Sequence, residues 1–157
     1  MFIVQGLISG LVATIIFDLF NHSLNYAYNI NKPKWFLLGR YFIGFKKGEY
    51  FRENIEEDDE VKNEVIWGYF IHYLIGIIYG IFYVFFNLLF FDYPSLLVAY
   101  FFGFCTVLGA WCFLIPFAYN LGFFASKSDQ QFKLLAQNLI SHFIFGTGLF
   151  IGYYISF

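Results

Sequence analysis

The chain has 157 residues and a formal net charge of -2, with 60% apolar residues, 26% aromatic residues and only 13% charged ones. A soluble domain carries about a quarter charged residues, so this composition, with its mean hydropathy of +0.64, belongs in lipid rather than water. The acidic balance supplies no basic surface for phosphate groups and excludes nucleic acid as a partner.

Four apolar segments, at about 2–28, 65–91, 93–121 and 134–157, are nearly free of charge. A helix needs about 20 mostly apolar residues to cross the hydrocarbon core, so each predicts a membrane span. The expected architecture is all-α, a four-helix transmembrane bundle forming a single integral membrane domain over residues 1–157. The first segment reads as a mature helix and not as a cleavable signal, because residues 1–5 contain no Lys or Arg to form a basic leader.

The connection at about 29–64 has two halves. Residues 35–45 are too short to span and too apolar for water, with Lys32 and Lys34 before them and Lys46 and Lys47 behind. That pattern predicts an interfacial or re-entrant helix. The second half, 49–64, is dominated by Glu and Asp and reads as a solvated linker, with cation binding or docking as the alternative.

All nine Lys and Arg residues fall in two connections. Lys32, Lys34, Arg40, Lys46, Lys47, Arg52 and Lys62 lie between spans one and two, and Lys127 and Lys133 between spans three and four. The positive-inside rule makes these connections cytoplasmic and places both termini outside.

Small residues recur at four-residue spacing in every span: Gly6 and Gly10, Gly76 and Gly80, Ala99 and Gly103, Gly148 and Gly152. Lipid supplies no hydrophobic force between helices, so close approach across small residues holds a bundle together. These pairs are the expected packing faces. Cys105 and Cys112, seven residues apart on span three, lie about 10 Å from each other along the helix, too far for a bond within it, and read as small packing residues.

Polar residues in the spans are the candidates for a site. Asp18 and His22 share a face of span one at i and i+4. His72 lies in span two, Asn120 at the end of span three, and Asn138, Ser141 and His142 in span four. All three histidines and the one deep carboxylate are expected in one layer, in the third of the membrane nearest the cytoplasm. An ionised Asp inside the membrane costs about 2.5–3.5 kcal/mol on insertion scales, so it needs a partner, and Arg40 or a nearby Lys is the candidate. If a metal is bound at all, Asp18, His22, His72 and His142 are the ligands available. The alternative is that each polar group only satisfies a neighbouring helix.

His72-Tyr-Leu-Ile-Gly76 and His142-Phe-Ile-Phe-Gly146 share the pattern His, aromatic, two apolar residues, Gly. A repeat of this kind makes spans one and two equivalent to spans three and four. More broadly, Gly10-Leu-Val-Ala-Thr-Ile-Ile-Phe-Asp18-Leu, Gly39-Arg40-Tyr41, Gly68-Tyr-Phe-Ile-His72-Tyr73-Leu-Ile-Gly76, Thr106-Val-Leu, Gly122-Phe-Phe-Ala-Ser126 and His142-Phe-Ile-Phe-Gly146-Thr-Gly148 occur in this order. In them the chain resembles the bacterial membrane-protein family known as domain of unknown function 2938, over nearly its whole length. Tyr41 and Tyr69 stand where that family's pattern has Trp, and Asn120 stands in a region usually richer in Gly. The resemblance implies a multi-span protein of the bacterial inner membrane and brings no activity with it.

Other chemistry is narrowed by absence. Three histidines are too few for a histidine-box oxygenase, one membrane carboxylate is too few for an aspartyl protease, and Ser141 lacks the Gly-rich frame of a membrane serine protease. No catalytic residue and no cofactor is assigned. The leading expectation is a protein that binds or transports a small solute or ion, proton coupling included, through the Asp/His cluster. Four spans are few for a complete path, so a homo-oligomer in the lipid bilayer is expected. A structural or assembly partner without transport is the first alternative and a metal-dependent membrane enzyme the second.

Overall fold

The computed structural model describes residues 1–51 and 53–157. Arg52, one of the basic residues counted for orientation, lies outside the described residues. The architecture is all-α. Five helices follow one another: α1 (Phe2–Tyr28), α2 (Trp35–Gly44), α3 (Glu64–Phe90), α4 (Leu96–Gly109) and α5 (Gln131–Ser156). α4 continues as a π-helix over Ala110–Ala118, and single 3-10 turns occupy Phe45–Lys47 and Phe123–Ala125. Phe2–Tyr28, Glu64–Phe90, Leu96–Ala118 and Gln131–Ser156 are each long and apolar enough to cross a membrane.

The ends of these helices have local causes. α1 stops where Asn29 turns left-handed at φ 54°, a conformation that Asn tolerates better than most residues, and the N–H groups of Asn29 and Ile30 close on the carbonyls of Asn25 and Leu24. The third span is shorter than the expected 93–121 at both ends. Pro94 and Ser95 delay its start, with the Ser95 hydroxyl accepting from the Val98 N–H at 3.4 Å as an N-cap does. Its far end is a π-helix around Pro116, which has no N–H to donate and whose ring crowds an α-helical turn. Asn120, left-handed at φ 50°, ends the run.

The chain divides into two compact units. The first comprises Met1–Pro33, Tyr73–Thr106 and Leu139–Phe157. Its helices touch backbone to backbone at the small residues. A Cβ on Gly10 would strike the Gly76 carbonyl and lie 2.6 Å from Ile77 Cα, and one on Gly148 would lie 2.6 Å from Ala13 Cα. One on Gly146 would lie 2.8 Å from the Ala99 carbonyl oxygen. The expected packing faces are thus the contacts of α1 with α3, α1 with α5, and α4 with α5. In the candidate repeat, each closing glycine faces the preceding long helix: Gly76 meets Thr14 of α1, and Gly146 meets Ala99 of α4.

The second unit comprises Lys34–His72 and Val107–Asn138. Its core is Leu37, Tyr41, Ile55 and Ala118, with Phe36, Phe42, Leu114, Phe117 and Tyr119 packed against it. α2 lies directly on the first turns of α3, since a Cβ on Gly39 would lie 2.6 Å from the Gly68 nitrogen. The acidic stretch is not the plain solvated linker expected of it. Ile55 is buried in this core, and Tyr41 Oη donates to the Tyr50 carbonyl at 3.1 Å. Burial pushes the Tyr41 hydroxyl above its ordinary pKa.

Candidate functional site

In the first unit the polar groups connect helices. Ser141 on α5 donates its hydroxyl to Asn21 Oδ1 on α1 at 3.0 Å, and Asn21 Nδ2 donates to the Phe17 carbonyl at 2.9 Å. Both side chains are buried. Beside them His142 Nδ1 lies 2.7 Å from Thr106 Oγ1 on α4, and the imidazole stands edge-on to Phe17 with centroids 5.4 Å apart. His142 is eleven residues beyond the start of α5, about 16 Å along its axis at 1.5 Å per residue, well inside a helix of membrane-spanning length.

The geometry sets the tautomer of His142. Thr106 Oγ1 also lies 2.7 Å from the Gly103 carbonyl oxygen, which can only accept. The single hydroxyl hydrogen therefore goes to Gly103, and His142 donates its Nδ1 hydrogen to Thr106. The basic lone pair of the ring is then on Nε2, so protonation there leaves the Thr106 bond intact.

Asp18 is half-buried on α1, and His22 is exposed one turn further on. His22 Nδ1 donates to the Asp18 backbone carbonyl at 3.0 Å, while Nε2 accepts from the Lys32 ammonium at 3.3 Å. The shared face expected of Asp18 and His22 is present, with the contact made through the Asp18 backbone.

The remaining sequence candidates belong to the second unit. His72 is half-buried and stacked on Trp35, with ring centroids 3.7 Å apart and planes 18° apart. Asn120 donates to the Glu53 carbonyl at 3.4 Å and accepts from Lys127 Nζ at 3.0 Å, pinning the first connection to the turn before α5. Asn138 is half-buried on α5.

Arg40 was one candidate partner for Asp18, but its guanidinium is taken up elsewhere. Nε donates to Glu64 Oε2 at 2.7 Å and Nη2 to Glu64 Oε1 at 2.8 Å, the two-pronged geometry that arginine makes best. Nη1 donates to the carbonyls of Ile55 at 2.9 Å and Asp58 at 2.7 Å, and the group lies 5.6 Å from the Phe36 ring centroid. The bond to Glu64 raises the Arg40 pKa further above its already high ordinary value. Glu64 Oε2 also accepts from the Val61 N–H at 2.8 Å.

Several of these residues are not among the sequence candidates. Glu64 is hidden in the acidic run before span two, although a carboxylate at the first residue of an apolar helix is itself a signal. Asn21 sits next to His22 in the same span. Thr106 is present only within a family string. For a metal, the described residues contain no group of three His, Cys, Asp or Glu side chains placed to hold one. Cys105 and Cys112 are half-buried free thiols.

An all-α chain with four helices of spanning length, its polar side chains joined helix to helix, is a membrane-embedded protein. The chain belongs to the family described as Protein of unknown function (DUF2938), whose model matches residues 7–156. No curated protein and no solved structure matches it.

Proposed function

We propose that this protein binds or moves a small solute or ion within the membrane, with His142 as the group that takes up and releases a proton. The observation that carries this reading is the 2.7 Å bond from His142 Nδ1 to Thr106 Oγ1, which orients the ring and places its basic atom on the other side. Histidine is the side chain suited to exchange protons near neutral pH, and ionisable groups inside membranes are expensive unless they are used. Asp18 and His22 on α1 are the further charge-handling groups, and several copies assemble to complete a path. The confinement of all nine Lys and Arg residues to two connections and the adjoining first turn of α5 supports an inner-membrane location with those connections cytoplasmic and both termini outside.

The test is proton flux in liposomes under an imposed potential, read by an enclosed pH dye. His142→Gln and Asp18→Asn are expected to stay folded and lose flux by about tenfold or more, the scale of general acid–base contributions. Wild-type flux no higher than that of empty liposomes would sink the proton reading.

A second reading is favoured by the direction of the polar bonds in the first unit. Gln5 Nε2 to the Ser156 carbonyl, Ser9 Oγ to the Leu149 carbonyl and Ser141 Oγ to Asn21 all run from helix to helix, as register locks do in an assembly partner. On that reading the same variants change oligomer size or stability and leave no flux to lose.

A further inference from the structure

We infer that the connection between α2 and α3 is seated in the boundary of a phospholipid bilayer, with Phe51 entering the acyl layer. Phe51 is 75% exposed, yet it does not stand alone. Its ring lies 5.6 Å from Phe117, and Phe117 lies 6.0 Å from Phe123 and 6.4 Å from Phe113. Phe113, 68% exposed, belongs to the span Leu96–Ala118. Phe123, 56% exposed, and Phe51 belong to no span. A chain of aromatic contacts therefore runs from an exposed face of a helix of spanning length, through the half-buried Phe117, onto two connecting segments. A contiguous exposed apolar patch marks an interaction surface, and continuity with the span selects lipid as its occupant.

The neighbouring chemistry fits the same boundary. Lys46 lies over the Trp67 ring at 5.8 Å, an ammonium above an indole at the start of a span, where aromatic belts and snorkelling lysines sit at headgroup level. The position of Phe51 is also fixed. Two residues later the Glu53 carbonyl is bonded to Asn120, and one residue earlier the Tyr50 carbonyl is bonded to Tyr41. Charged residues flank Phe51 on both sides, with Lys46, Lys47 and Glu49 before it and Arg52 and Glu53 after it, as suits an aromatic anchor in a segment at headgroup level.

The experiment uses the full chain with Cys105→Ala and Cys112→Ala, carrying Phe51→Cys labelled with an environment-sensitive fluorophore. The protein is reconstituted into phosphatidylcholine and phosphatidylglycerol vesicles, with Glu57→Cys, exposed in the same connection, as the reference. The Phe51 label is expected to be quenched by lipids bearing a nitroxide near the headgroup end of the chain. Iodide quenching is expected to be at least about threefold weaker than at the Glu57 site, as for a group below the headgroups. Equal iodide quenching at the two sites would place Phe51 in water and overturn the inference. Protection from both iodide and the lipid nitroxide would mean that a protein surface, a second copy included, covers the patch, and would overturn it as well. Phe123→Cys on the same patch is labelled in parallel, so that poor folding of one variant still leaves a result.

Discussion

Arg40 and Glu64, 24 positions apart in sequence, meet in a two-pronged ion pair with N–O distances of 2.7 and 2.8 Å. Arg40 stands on the short helix α2 and Glu64 at the first residue of α3. The pair therefore closes the whole intervening connection, and the third arm of the guanidinium gathers the carbonyls of Ile55 and Asp58. Removing one partner strands a buried charge, which costs about 3–5 kcal/mol. Glu64→Gln is expected near the lower end of that range and Arg40→Met above it, because Arg40→Met also strands two carbonyls. The double variant Arg40→Met with Glu64→Met should recover part of the loss, since an apolar pair leaves no unpaired charge. Thermal unfolding in detergent micelles measures all three, and an unchanged midpoint for Glu64→Gln would make the ion pair energetically idle.

The long helices were legible because their signal is summed over more than twenty residues, and no single substitution can blur it. Their ends were less so. A proline such as Pro116 breaks an α-helix by its chemistry, but whether it kinks, ends or widens the helix depends on what packs around it, and here it accompanies a π-helix. Arg40 and His72 show the limit for the site. Depth along a helix follows from counting residues, whereas direction around it is set by the neighbour it packs on. Arg40 is turned to Glu64, and His72 lies flat on Trp35. The acidic stretch was legible in part, since Glu53, Glu56, Glu57, Asp59 and Glu60 are exposed as a solvated segment requires. Its composition favours solvent, but Ile55 anchors it in a core and its carbonyls have a buried donor.

The glycine contacts predict a ranking. A Cβ on Gly10 would meet backbone atoms of Gly76 and Ile77, whereas one on Gly76 would meet the hydroxyl and Cβ of Thr14. Backbone cannot step aside and a side chain can. Gly10→Ala is expected to destabilise by about 1–3 kcal/mol, the usual cost of overpacking, and Gly76→Ala by less. Adding Thr14→Ala to Gly76→Ala should relieve most of that smaller cost. Unfolding midpoints of the three variants check the order, and a larger loss for Gly76→Ala would contradict it.

Asn87 bridges the turn between α3 and α4 with both ends of its amide. Its Nδ2 donates to the Tyr93 carbonyl and its Oδ1 accepts from the Ser95 N–H, both at 2.7 Å. Tyr83 Oη adds a bond to the Ser95 carbonyl at 3.2 Å. Asn87→Leu removes a donor and an acceptor and leaves a buried backbone N–H unpaired, a loss of about 1–3 kcal/mol for that group alone. Asn87→Asp keeps the acceptor and loses the donor while adding a buried charge, so it should be no better tolerated. Hydrogen exchange at the Ser95 amide reports the change directly, and protection unchanged in Asn87→Leu would show that the turn does not depend on this side chain.

Thr106 is the means of separating orientation from titration at His142. Thr106→Val keeps the shape of the side chain and removes the oxygen that receives the Nδ1 hydrogen. A part-buried imidazole N–H without its acceptor costs about 1 kcal/mol, toward the low end of the usual range, and the ring loses the bond that fixes its tautomer. Thr106→Ser retains the hydroxyl and should restore both. Nitrogen NMR of labelled histidine distinguishes the two ring tautomers. Wild type and Thr106→Ser are expected to show His142 with its hydrogen on Nδ1, and Thr106→Val to show a mixture or the other form. If proton exchange at His142 is the activity, flux should follow the tautomer, falling in Thr106→Val and returning in Thr106→Ser. A Thr106→Val protein that shifts the tautomer at full flux would separate His142 from transport and leave the Thr106 bond as a link between α4 and α5.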